Sequence, residues 1–134
     1  SKSYLTFFMK YLLRYIPPIV VGFLIFVITC LIKPDTLPGM PKGIPWDKIA
    51  HFGMFFMLSA VIMYEYYRIH KNSISIVKWL FWGFIIPISY GGVIELLQEF
   101  FFVYRGAEWG DFIADAAGSF AATLLAIIIL RTKS

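Results

Sequence analysis

The chain has 134 residues, 60% of them apolar and only 15% charged, with a formal net charge of +4 and a mean hydropathy of +0.76. A soluble domain carries roughly 25% charged residues, and a globule this small has too much surface to hide so much hydrocarbon from water. That excludes a soluble domain, and basic residues lying between apolar runs set membrane topology rather than a nucleic-acid surface.

In chain order, residues 3–15 form an amphipathic stretch, with Leu5, Phe8, Leu12 and Ile16 on one stripe and Lys10 and Arg14 off it. Such a stretch suits a helix lying at the headgroup level. A basic flank precedes the first apolar run, and no small-x-small cleavage site follows, so a retained first helix is expected rather than a signal peptide. Pro17-Pro18 breaks or kinks the chain, because proline is comfortable only in a first helical turn. Span one is expected over 17–32. Its single cysteine, Cys30, excludes an internal disulfide and a zinc-knuckle pattern and reads as a small packed hydrophobe. Residues 33–46 carry Pro34, Pro38, Gly39, Pro41, Gly43 and Pro45, an irregular loop closed by Trp46 as an interfacial anchor.

Span two is expected over 47–67, followed by a polar, basic connection over 68–78; Glu65, near Arg68 and His70, reads as part of a solvated pair. Span three covers 79–103, bent at Pro87 and open to close backbone approach at Gly91-Gly92. After a tight loop over 104–110, span four covers 111–130. There Ala114, Gly118 and Ala122 place a small residue at every fourth position, favouring close helix packing. Phe100, Phe101, Phe102, Tyr104 and Trp109 form an interfacial aromatic belt. The expected architecture is therefore an all-α membrane protein, a single four-helix transmembrane bundle with a short N-terminal amphipathic segment.

Orientation follows from the basic residues. Lys2, Lys10, Arg14, Arg68, Lys71, Lys78, Arg131 and Lys133 fall on one side, against Lys33, Lys42, Lys48 and Arg105 on the other. The positive-inside rule puts both termini in the cytoplasm of a bacterial cell.

Ionisable residues inside spans are costly and are functional candidates by default. Asp47 and His51 lie one turn apart at the start of span two. Glu95, Gln98 and Glu99 are read as sharing a face near the end of span three. Asp111 and Asp115 lie one turn apart at the start of span four, and Arg105 lies in the preceding loop. In an up-down bundle these positions share one membrane face, the external one, and one pocket can collect them. Asp47 and Asp111 equally suit helix capping, His51 can serve as a structural hydrogen-bonding group, and Glu99 can reach the interface. Glu95 and Asp115 call for a cation, and the forked guanidinium of Arg105 is the obvious one.

The segment Asp47-Lys48-Ile49-Ala50-His51-Phe52 resembles the D-K-x-x-H-F helix start of the VanZ-like family of small membrane proteins. Glu95-x-x-Gln98, then Arg105, Glu108, Asp111, Asp115 and Gly118, resembles that family's later E-x-x-Q…R-x-x-D-x-x-D-x-x-x-N-x-x-G stretch. The likeness covers residues 47–118. Glu108 stands where the family more often has Asp, and Asp115 where it commonly has Asn. The family is named for a protein that lowers susceptibility to the glycopeptide teicoplanin, so the resemblance implies a role in the bacterial envelope.

Three functions are open on this reading. In the first, an outer-leaflet pocket of Asp47, Lys48, His51, Glu95, Gln98, Glu99, Arg105, Asp111 and Asp115 binds a lipid headgroup, a lipid-linked cell-wall precursor or a glycopeptide. The second is an enzyme acting on a lipid-linked envelope substrate. There His51, oriented by Asp47, is the general base and Glu95 the acid. A divalent cation held by Glu95, Glu99, Asp111 or Asp115 would be magnesium, manganese or calcium. The third is an oligomeric transporter, although repeats of the transporter kind are not visible. No cofactor motif is present.

Overall fold

A computed structural model describes residues 2–31, 46–69, 75–101 and 109–133; the side chains of Tyr11, Trp46, Asp47 and residues 131–133 lie outside the description. Every regular element among the described residues is helical. Helix α1 is Lys2–Arg14. Helix α2, Ile16–Leu31, leaves α1 at a bend of 58°. Helix α3 is Trp46–Ile69, α4 is Ile76–Phe100 and α5 is Trp109–Lys133.

Three helices, α3, α4 and α5, are each long and apolar enough to cross a membrane, and a fourth span exists if the bent pair α1–α2 counts as one. The distinction is one of length. Helix α2 has eleven α-helical residues followed by a five-residue wider turn, about 24 Å at 1.5 Å per residue, short of the roughly 30 Å hydrocarbon core. The protein is accordingly a multi-pass membrane protein. Its outward faces carry large apolar side chains such as Phe23, Val93, Ile113 and Leu124, as a lipid-facing surface requires.

Local chemistry explains the helix ends and wide turns. Proline sits in the first turn of α2, where its missing N–H has no partner to lose. Ser75 caps α4, its Oγ accepting from Lys78 N–H at 3.2 Å, so the expected connection through Lys78 is shorter and Lys78 lies in the first helical turn. Pro87 is buried, and the helix widens over Phe81–Ile85 just before it. A wider turn keeps the ring off the carbonyl four residues back, the usual steric conflict of proline inside a helix.

The order of packing is visible in the contacts. Between α3 and α5, Lys48 meets Asp111, His51 meets Asp115 and Ser119 Oγ donates to Phe55 O, at separations of 63, 64 and 64 residues. A constant offset means two parallel helices in register. Tyr90 Oη donating to Gly22 O and Gln98 Nε2 donating to Thr29 O lie 68 and 69 residues apart, so α2 and α4 are likewise parallel. Helix α4 runs against α5: positions 83 and 91 of α4 lie beside Thr123 and Asp115. The starts of α3 and α5 and the ends of α2 and α4 therefore share one end of the molecule.

Two apolar clusters hold this arrangement. Ile25, Cys30, Phe55, Leu58, Ile62 and Ile94 pack beneath the shared end, and Met63, Tyr66, Trp79 and Ala122 pack at the other. Cys30 is packed there as a hydrophobe. Glu65, read from the sequence as solvated, is buried beside Arg68 at 3.7 Å, because its position on α3 faces inward with Tyr66 rather than outward.

Candidate functional site

Close approach of α3 and α5 builds the site. A Cβ added at Gly118 would lie 2.2 Å from Phe52 O, so only glycine lets the two backbones come this near. One turn above, Asp115 faces His51, and one turn further Asp111 faces Lys48. The i, i+4 spacing of the two aspartates puts both on one face of α5.

Exposure falls with depth along this ladder. The Lys48 side chain is 35% exposed and that of Asp111 9%, while His51 and Asp115 stand at 3% and 0%. Lys48 Nζ donates to Asp111 Oδ1 at 3.3 Å. His51 Nδ1 and Asp115 Oδ1 are 2.7 Å apart. With Asp115 ionised, Nδ1 is the donor of this bond, and a neutral ring then carries its lone pair on Nε2. That nitrogen points at Asp111 Oδ2, 3.6 Å away, beyond hydrogen-bond length.

Helix α4 supplies the third wall. Glu95 is fully buried, and one ligand atom each from His51, Glu95 and Asp111 lie within 4.8 Å of one another. Gly91, one turn before Glu95, leaves room for the Asp115 carboxylate, since a Cβ there would stand 2.9 Å from Oδ2. That Oδ2 accepts no hydrogen bond among the described residues.

The structure therefore brings together Lys48, His51, Glu95, Asp111 and Asp115. Other expected members fall elsewhere. Glu99 is exposed: at about 100° per residue it lies some 40° past Glu95, in the direction opposite to Gln98, and so turns off the inward face. Gln98 is buried but faces α2, where it satisfies Thr29 O at 2.7 Å in the wide last turn. Asp111 sits in the first turn of a helix that begins at Trp109, and Lys48 engages its side chain at 3.3 Å. Asp115 holds His51 through the 2.7 Å bond. The Asp47 side chain, Arg105 and Glu108 lie outside the described residues.

Thr29, Tyr90 and Ser119 were missed by sequence reading, because hydroxyl groups on apolar helices carry no charge signal. The constant 64-residue offset between facing positions of α3 and α5 would have found Ser119. An apolar groove between α3 and α5, lined by Met63, Tyr67, Trp79, Ala122 and Leu125 among others, has no charged wall; it suits hydrocarbon rather than chemistry.

No protein-family model, curated protein or solved structure matches the chain.

Proposed function

We propose that this chain is a VanZ-like protein of the bacterial cytoplasmic membrane, and that its polar cluster binds the headgroup of a lipid-linked cell-wall precursor or a glycopeptide of the teicoplanin type. In this reading the molecule is a four-helix bundle with α1 lying amphipathically at the headgroup level. Both termini are cytoplasmic, and the cluster lies beneath the outer surface. The basic residues support that orientation, and the D-K-x-x-H-F and E-x-x-Q motifs support the family.

One observation carries the functional part: His51, Glu95, Asp111 and Asp115, all buried, come from three helices to one place. Buried ionic groups contribute little net stability, and hydrophobic replacements of similar volume often serve folding as well or better. Inside a membrane such groups mark binding or transfer sites. The test is growth of a teicoplanin-sensitive bacterium expressing the chain or its His51→Ala variant, with membrane levels matched by immunoblot. Wild type raises the tolerated drug concentration several-fold and the variant does not. Equal susceptibility of wild type, variant and empty vector overturns the proposal.

A second reading is favoured by the 2.7 Å pair of His51 with Asp115. A carboxylate-held imidazole is the arrangement of a general base, so we infer as the alternative an enzyme acting on a lipid-linked envelope substrate. Lipid profiles that differ between wild type and His51→Ala support it, and identical profiles remove it. A transporter has no comparable observation behind it.

A further inference from the structure

We propose that His51, Glu95 and Asp111 bind one divalent first-row transition-metal ion, with Asp115 as the positioning residue for His51. The proposal concerns the cluster assigned above as the functional site and rests on that reading only for its location.

Two independent features meet. The first is distance. Two donors bound to one ion at about 2.1 Å and a tetrahedral angle stand about 3.4 Å apart. His51 Nε2 and Asp111 Oδ2 are 3.6 Å apart, and a ligand atom of Glu95 lies within 4.8 Å of both residues' ligand atoms.

The second is orientation. Metal-bound histidines almost always give their other ring N–H to a carboxylate, which fixes the tautomer and aims the lone pair. Asp115 Oδ1 holds Nδ1 at 2.7 Å, leaving Nε2 directed at Asp111. Asp115 itself is held by space: its fully buried Oδ2 sits against Gly91 and accepts no hydrogen bond among the described residues.

Donor type selects the ion. The oxygen-only set expected from the sequence favours magnesium, manganese or calcium, whereas an imidazole with two carboxylates also suits zinc or iron. Three protein ligands leave positions open for water or a ligand oxygen.

The full chain, purified in detergent, is stripped with chelator, exposed to zinc, passed over a desalting column and measured for metal. Cobalt(II) absorption reads the coordination in a parallel sample. Wild type retains close to one zinc per chain, and cobalt gives a tetrahedral or five-coordinate spectrum. His51→Ala and Glu95→Gln retain less than about a tenth. Asp115→Asn binds about 10–100-fold more weakly, the usual effect of losing a group that holds a metal ligand. Glu65→Gln, at the other end of α3, retains zinc as wild type does. Circular dichroism checks folding. If Glu95→Gln fails to fold, Asp111→Asn takes its place. Wild type that is folded yet holds no zinc or cobalt overturns the proposal, as does equal retention by His51→Ala. Zinc retained by a chain that leaves teicoplanin susceptibility unchanged supports the metal site and removes only the function proposed above.

Discussion

Gly118 offers the sharpest test of how the site is built. Replacing it with alanine places a Cβ 2.2 Å from Phe52 O, 3.0 Å from Phe52 C and 3.1 Å from Phe52 Cα. All three neighbours are backbone, so no rotamer change relieves the clash. Reaching ordinary contact at 3.4 Å requires α3 and α5 to part by about 1.2 Å there, an overpacking that costs about 1–3 kcal/mol. Phe52 is the residue after His51, and Gly118 is one turn from Asp115. The same displacement stretches the 2.7 Å His51–Asp115 bond to about 3.9 Å, past hydrogen-bond reach. Equilibrium unfolding in mixed micelles measures the stability term, and zinc retention measures the damage to the site. Gly53→Ala is the control: it adds the same methyl to α3 with nothing within 4 Å, and alanine should be neutral or stabilise by about 0.5–1 kcal/mol. Wild-type stability in Gly118→Ala, or an equal loss in Gly53→Ala, would refute the close-approach argument.

Gly91→Ala meets the end of a side chain, Asp115 Oδ2 at 2.9 Å, rather than backbone. It should cost less stability than Gly118→Ala, yet change the ring nitrogen signals of His51 in nitrogen-15 NMR; an unchanged His51 spectrum would count against the Asp115 contact. Gln98→Met removes the 2.7 Å bond to Thr29 O. It should lower unfolding free energy by about 0.6 kcal/mol and no more than about 1.7, the range for hydrogen bonds between membrane helices. Zinc retention should be unaffected, and its loss would mean that Gln98 belongs to the metal set.

Much of this organisation is written in one dimension. Hydrocarbon-rich runs longer than a turn or two can be solvated only by lipid or by each other, so composition alone determined a membrane protein of several helices. Charged residues inside such runs are so costly that Lys48, His51, Glu95, Asp111 and Asp115 announced themselves. The small residues at 114, 118 and 122 announced the packing face of α5.

Tertiary structure decided the rest, because it depends on the rotation and register of one helix against another. Glu99 and Glu95 are one turn apart in sequence, yet a 40° difference in azimuth buries Glu95 and exposes Glu99. Asp115 lies 64 residues from His51 along the chain. The register of α3 against α5, set by the Gly118–Phe52 contact, made Asp115 the partner of His51. Gln98 and Thr29 are joined only because α2 runs parallel to α4. A spacing along one helix gives the direction of a side chain relative to its own axis, whereas what it meets depends on backbones that approach through steric fit.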